Sequence, residues 1–244
     1  MSDREATPLR KLTAEAVGTA MLLIAVVGSG IMGERLAAGN TAVALLANSL
    51  ATGAALAVLI LIFGPVSGAH FNPVVTLSEG FERGRWRHIP TTIAAQIVGA
   101  LAGVALANLM FDLPPFFAST HVRTGTPLLL GEALATFGLL ATIHGCSRFR
   151  PNAVFLAVAA YITGAYWFTS STSFANPAVT LARAATDTFS GIRPIDAPGF
   201  IAAQLVGAVL ATVLCRWLFS SGESSITTAV PYTFRARITK NHEQ

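Results

Sequence analysis

The chain has 244 residues, of which 53% are hydrophobic and only 11% charged, with a mean hydropathy of +0.61 and a pI of about 9.6. Soluble domains carry about 25% charged residues, so this composition excludes a soluble domain of this size. It also does not describe a nucleic-acid binder: the basic residues sit in short clusters at the ends of apolar runs, where membrane topology places them. Cys146 and Cys215 are too few for a disulfide framework, and neither has a Cys or His partner at ligand spacing. Two reduced thiols, no metal site and no cofactor are expected.

Residues 1–11 (MSDREATPLRK) are polar, and the apolar run after them is too long for a cleaved signal peptide. Uncharged stretches at 16–33, 40–77 and 89–111 each hold the roughly 20 apolar residues that cross a hydrocarbon core. Six spans are expected, at about 12–33, 41–63, 89–111, 128–146, 153–169 and 198–220. Two further apolar segments, 71–80 and 175–187, are too short to span, and each carries Asn-Pro at its start. Irregular backbone facing lipid is not tolerated at membrane depth. Asn is a good helix cap and Pro suits the first turn. Each Asn-Pro therefore reads as the buried start of a half-helix dipping into the bundle. The connector 112–127 (DLPPFFASTHVRTGTP) must lie outside the membrane, and 221–244 form a polar tail.

With the N-terminus in the cytoplasm, that side holds Arg4, Arg10, Lys11, Arg83, Arg85, Arg87, Arg148, Arg150, Arg216, Arg235, Arg237 and Lys240. The other holds Arg35, Arg123, Arg183 and Arg193. This excess places both termini in the cytoplasm of a multi-pass cell-membrane protein.

The two halves of the chain repeat each other in order. AEAVGTAMLL (14–23) matches GEALATFGLL (131–140), SGAHFNPVVTL (67–77) matches STSFANPAVTL (171–181), and AAQIVGALAG (94–103) matches AAQLVGAVLA (202–211). The offsets are 117 from Glu15 to Glu132, 104 from Asn72 to Asn176 and 108 from Gln96 to Gln204. Repeat one covers about 12–111 and repeat two about 128–220. Each has three spans, so the second copy enters from the opposite face and the half-helix N-termini meet near the midplane. The expected fold is all-α: six transmembrane helices plus two half-helices in an inverted repeat.

With the SGAH-x-NP box, the second NPA, the paired Glu residues and the AAQ-x-VGA boxes on the page, residues 12–220 resemble the aquaporin (major intrinsic protein) superfamily. The resemblance implies a homotetramer with a pore in each subunit, set in the lipid bilayer. Asn72 and Asn176 would hold solute oxygens at the pore centre, and the half-helix N-termini, with roughly half a positive charge each, would repel cations. Pro73 and Pro177 would pack at the junction, with Val74 in place of the usual Ala and Ala178 retaining it. Glu15 and Glu132 are intramembrane carboxylates. Either they move protons or they accept N–H bonds from the loops into the half-helices; their symmetry favours the structural role. His70 either lines the cytoplasmic vestibule or is packed and satisfied. Gly99, Gly103 and Gly207 permit close helix crossing.

The resemblance also maps an outer selectivity filter onto Thr52, Gly164, Ser173 and Val179. Water-selective relatives carry aromatics, His and an Arg there, the Arg just after the second NPA. Val179 removes that Arg, which implies a wider, more apolar mouth passing glycerol, urea, ammonia and metalloid hydroxides such as arsenous acid. This pattern resembles a bacterial arsenic-associated, aquaglyceroporin-like branch. Arg183 lies one turn, about 5.4 Å, further out on the same face. It would either place a guanidinium in the outer vestibule or, as the favoured reading, face water or pair with Asp187. A secondary transporter is the alternative function, but no coupling-ion ligands are found beyond the two Glu residues. An intramembrane enzyme is disfavoured because no Ser/His, paired Asp or metal-spaced His set is found within the spans. A structural junction protein would require an occluded mouth.

Overall fold

A computed structural model describes residues 6–84 and 86–220. The tail at 221–244 and the topology residues Arg4, Arg85, Arg235, Arg237 and Lys240 lie outside the described residues. Eight α-helices and no strands occur among those described: α1 (Pro8–Leu36), α2 (Thr41–Ser67), α3 (Pro73–Arg83), α4 (Ile89–Met110), α5 (Thr126–Phe149), α6 (Val154–Phe168), α7 (Pro177–Arg183) and α8 (Ala197–Leu218). Six of these, α1, α2, α4, α5, α6 and α8, form segments long and apolar enough to cross a membrane. The expected spans are recovered, with α1 starting four residues earlier and ending three later, and α2 ending four later. The second half-helix stops at Arg183 rather than near 187.

Local chemistry sets the ends. Thr7 caps α1 ahead of Pro8, and Asn40 caps α2, which stops at Gly68 with φ +95. A left-handed turn of this kind suits glycine, which has no Cβ to clash. α3 is capped by Asn72 and α7 by Asn176, each side-chain oxygen accepting from the N–H of the first residues past proline.

The inverted repeat recurs in the packing. α1 packs against α2 and α4, and α5 against α6 and α8. The α1–α4 crossing depends on Gly99, where a Cβ would lie 2.1 Å from the Ala16 carbonyl oxygen. Its counterpart Gly207 would meet the Ala133 carbonyl at 2.2 Å. Neither site admits a larger residue without separating the helices. Val17, Leu50, Leu61, Val98, Leu106, Val209 and Val213 point outward, an apolar exterior suited to lipid.

The end where α1 starts and α8 finishes is called the lower end below. Chain direction then puts the C-terminus of α3 at the lower end and that of α7 at the upper end. The N-termini of both half-helices lie in the middle, and the two half-helices touch.

Candidate functional site

A cavity of about 770 Å³ runs through the bundle. It is lined near the lower end by Glu82, His144 and Arg216, in the middle by Asn72 and Asn176, and near the upper end by Thr52, Tyr166, Val179 and Arg183.

The middle is built by two matching networks. Asn72 uses its side-chain oxygen to cap α3 and donates through Nδ2 to the Ala175 carbonyl at 2.8 Å. Asn176 does the same toward the Phe71 carbonyl at 2.8 Å. An amide nitrogen has two donors, so each Asn keeps one N–H for the lumen. The loops that deliver these residues are bent tightly. Ala69 and Phe71 have φ of 50 and 50, and their repeat mates Ser173 and Ala175 have 50 and 49. Non-glycine residues in this left-handed region cost roughly 1–2 kcal/mol each, so the surroundings must hold them.

The holding groups are the two buried carboxylates. Glu15 accepts from the His70 and Phe71 backbone N–H at 3.0 and 2.8 Å, from Ser67 Oγ at 2.6 Å and from Gln96 Nε2 at 2.8 Å. Glu132 accepts from the Phe174 and Ala175 N–H at 2.8 and 2.9 Å and from Gln204 Nε2 at 2.6 Å. Gln96 and Gln204 in turn reach Thr76 and Thr180, whose hydroxyls donate to the Asn72 and Asn176 carbonyls. Of the two roles open to the carboxylates, N–H acceptance is the one their bonds describe.

Other expected site residues separate into lining and packing. Pro73, Val74, Pro177 and Ala178 are buried and do not line the cavity. Val74 packs with Val75, Leu140, Ala208 and Ala211, and Ala178 with Leu22, Leu23 and Val26. His70 combines both of its expected roles: it lines the cavity while its ring nitrogens meet Thr76 Oγ1 at 3.1 Å and Glu79 Oε2 at 2.9 Å.

Among the mapped filter positions, Thr52, Ser173 and Val179 line the cavity and Gly164 does not. The reason is helical phase. Val158, Ile162 and Tyr166, spaced by four, carry α6's lining face, and 164 falls on another face, beside the Phe168 ring of its own helix. The mouth therefore does not lack aromatic groups. Tyr166 Oη lies 3.3 Å from Thr52 Oγ1, and the Phe174 ring lines the lumen too. The favoured placement of Arg183 is also corrected. It is 2% exposed rather than facing water. Its Nε donates to the Ser190 carbonyl, and its guanidinium carbon stands 3.3 Å from the Phe174 ring centroid. Asp187 bonds Thr120 instead, through the backbone N–H at 2.7 Å and Oγ1 at 3.0 Å.

The fold also assembles a Ser/His set that sequence reading did not find. Ser78 Oγ lies 3.0 Å from His144 Nε2, and His144 Nδ1 lies 3.0 Å from Glu82 Oε1. The order nucleophile, base, acid resembles a hydrolytic triad. However, Ser78 lies within α3, where the helix uses the backbone N–H groups, and its hydroxyl is shared with Thr212 at 2.7 Å. Ser78, Glu82 and His144 all line the cavity, so the set reads as polar lining of the lower mouth. Ser78 and His144 lie 66 positions apart in sequence, which is why no local motif reveals the set. Phe174 did carry a signal: it occupies the repeat position of His70.

Three comparisons bear on this architecture. The profile of the family described as major intrinsic protein matches residues 2–152 and 147–240. The chain is 55% identical over 225 residues to aquaglyceroporin AqpS of Rhizobium meliloti (strain 1021), covering 92% of this chain and 96% of that protein. It is 30% identical over 220 residues to aquaporin NIP2-2 of Zea mays, covering 86% and 70%. In fold, it resembles the X-ray structure of the aquaglyceroporin from Plasmodium falciparum, with TM-score 0.66 at 21% identity over 86% of this chain and 95% of that one. A lined cavity between paired half-helices, an inverted repeat and family signatures along nearly the whole chain agree: this chain belongs to the major intrinsic protein family, the multi-pass membrane channels that include the aquaporins.

Proposed function

We propose that residues 12–220 form a passive channel for water and small neutral, oxygen-rich solutes of glycerol size, with undissociated metalloid hydroxides such as arsenous acid among them. The observation that carries this reading is the cavity that meets one uncommitted N–H from each of Asn72 and Asn176 at its centre. A solute leaving water for this site regains donors there, which matters because an unpaired polar group in a dry environment costs several kcal/mol. The half-helix N-termini add positive potential at the same level, favouring neutral permeants over cations. Val179 leaves the first turn of α7 without a guanidinium, so a three-hydroxyl solute has more room beside Asn176 than an Arg would leave. Arsenous acid is neutral and carries three hydroxyls, as glycerol does. The aquaglyceroporin name of the Rhizobium relative agrees with the polyol part of this reading.

The lower end is the cytoplasmic one in this reading. It gathers Arg10, Lys11, Arg83, Arg87, Arg148, Arg150 and Arg216, while Arg35, Arg123 and Arg193 lie at the upper end. The assembly is a homotetramer in the cell membrane, each subunit with its own pore. A proton-coupled transporter needs a carboxylate free to load and release. Glu15 and Glu132 instead have both oxygens engaged by N–H and O–H donors. The test is stopped-flow light scattering on proteoliposomes with water, glycerol, urea and arsenite. Fast, non-saturating flux that needs no ion gradient supports the channel; flux that saturates or requires a gradient overturns it.

A further inference from the structure

We propose that Arg183, one helical turn beyond the position next to the second Asn-Pro, supplies the charged donor of the outer filter, with the Phe174 ring as its platform. This deepens the channel reading and rests on it. Arg183 lines the cavity beside Thr52, Tyr166, Ser173 and Val179. It is nearly buried, and among the described residues only Nε has a hydrogen-bond partner, the Ser190 carbonyl, while Nη1 is buried without one. Nε anchors the head and the ring lies against it, so the guanidinium has a fixed orientation and unused donors.

No described carboxylate forms an ion pair with it. Asp187 is bonded to Thr120 and Ser119. Asp196 holds Arg193 and the Arg123 backbone N–H. Glu132 is occupied by the Phe174 and Ala175 N–H groups and by Gln204. A second guanidinium, Arg123, lies 5.1 Å from the centroid of the same Phe174 ring. Arg123 is outside the cavity lining, and its Nε donates to the Gly191 carbonyl at 2.7 Å. The upper mouth thus carries positive charge, with Arg183 as the member that borders the lumen.

The repeat gives independent support. Arg183 and Phe174 occupy the repeat positions of Glu79 and His70. In the lower half, Glu79 folds back onto His70 at 2.9 Å. In the upper half, Arg183 folds back onto Phe174. Both half-helices thus place the side chain seven residues past Asn against the residue two before it, and all four line the cavity. The sequence shift from 179 to 183 moves the guanidinium outward without removing it from the permeation path. It leaves the apolar Val179 as the lining residue on α7 between Arg183 and Asn176. Arg183 then orients solute hydroxyls as they leave bulk water and repels cations before they reach the narrow centre.

The test uses reconstituted full-length protein with Arg183→Gln and Arg183→Lys, reading the glycerol-to-water rate ratio and the leak of protons and sodium ions. Arg183→Gln, which removes the charge, is expected to change the ratio at least threefold and to admit a cation leak absent from the wild type. Arg183→Lys keeps the charge but not the planar fork, so it is expected to stay tight to cations while still shifting the ratio. Wild-type ratio and tightness in either folded variant overturn the assignment. If neither variant folds, butanedione, a small arginine reagent of glycerol size, is applied to wild-type vesicles. Modification of Arg183 with matching loss of glycerol flux supports the proposal, and an unmodified Arg183 in a conducting channel overturns it. A wild type that conducts nothing would instead defeat the channel reading itself.

Discussion

Replacing Glu15 by Gln tests the framework that holds the pore centre. Each Glu15 oxygen accepts two donors: Oε1 from Ser67 Oγ and His70 N, Oε2 from Phe71 N and Gln96 Nε2. Gln keeps one acceptor and turns the other into an NH₂ group that faces two donors. Whichever way the amide sits, one backbone N–H and one side-chain donor lose their partner inside the membrane. A buried donor left unsatisfied costs about 1–3 kcal/mol, so two cost about 2–6, and some is recovered when Gln96 or Ser67 turns away. A net loss near 3 kcal/mol corresponds to a fall of roughly 6–12 °C in unfolding temperature for a chain of this size. The assay is thermal unfolding in detergent, followed by swelling assays on the surviving protein. Molecules that remain folded should conduct passively and ignore an imposed pH gradient. An unfolding temperature within about 1 °C of wild type would refute the bonding argument. Uptake driven by a pH gradient in the wild type would refute the structural role.

Further expectations concern packing, the filter and the outer loops. Gly99→Ala and Gly207→Ala each drive a Cβ into a carbonyl of the partner helix; overpacking of this kind costs roughly 1–3 kcal/mol or more, and both should unfold at lower temperature than wild type. Val179→Arg should lower the glycerol-to-water ratio severalfold, because the added bulk narrows the lumen there and a bulky solute must displace the water it orders; an unchanged ratio in folded protein would remove Val179 from the constriction. Asp187 and Asp196 are held below the ordinary carboxylate range, Asp187 chiefly by the Thr120 backbone N–H and Asp196 chiefly by Arg193. A lowered folded value means that their contribution is complete above the ordinary carboxylate range and is lost as pH falls through it and below. Unfolding temperature should therefore be flat in these groups from neutral pH down to about pH 5 and decline below it, a decline that Asp187→Asn removes in part.

The fold was legible because its signals are periodic and duplicated. Lengths of uncharged sequence gave the six spans, Asn-Pro gave the half-helix starts, and the offsets between Glu15 and Glu132 and between Gln96 and Gln204 gave the symmetry that the networks reproduce. What sequence reading misplaced depends on phase and on long-range approach. Counting from the Asn-Pro boxes cannot fix the rotation of α6, so it points to Gly164 where Tyr166 faces the cavity. Sequence spacing alone has Arg183 face water or pair with Asp187, because the reach of loop 184–196 is invisible in one dimension; in space that loop brings the Ser190 carbonyl to it. The Ser78–His144–Glu82 contact joins half-helix α3 to the fifth helix, across the repeat boundary, where no short motif could report it.

The central claim is that solutes pass between Asn72 and Asn176. The most direct measurement is the rate of water and glycerol flux in proteoliposomes carrying wild type, Asn72→Leu or Asn176→Leu, each checked for folding by its unfolding temperature. Leucine removes the lumen-facing N–H and puts apolar bulk at the level where the half-helices meet. Both fluxes should fall in either variant to near the background of empty vesicles. Wild-type rates in both folded variants would contradict the account and place the permeation path elsewhere.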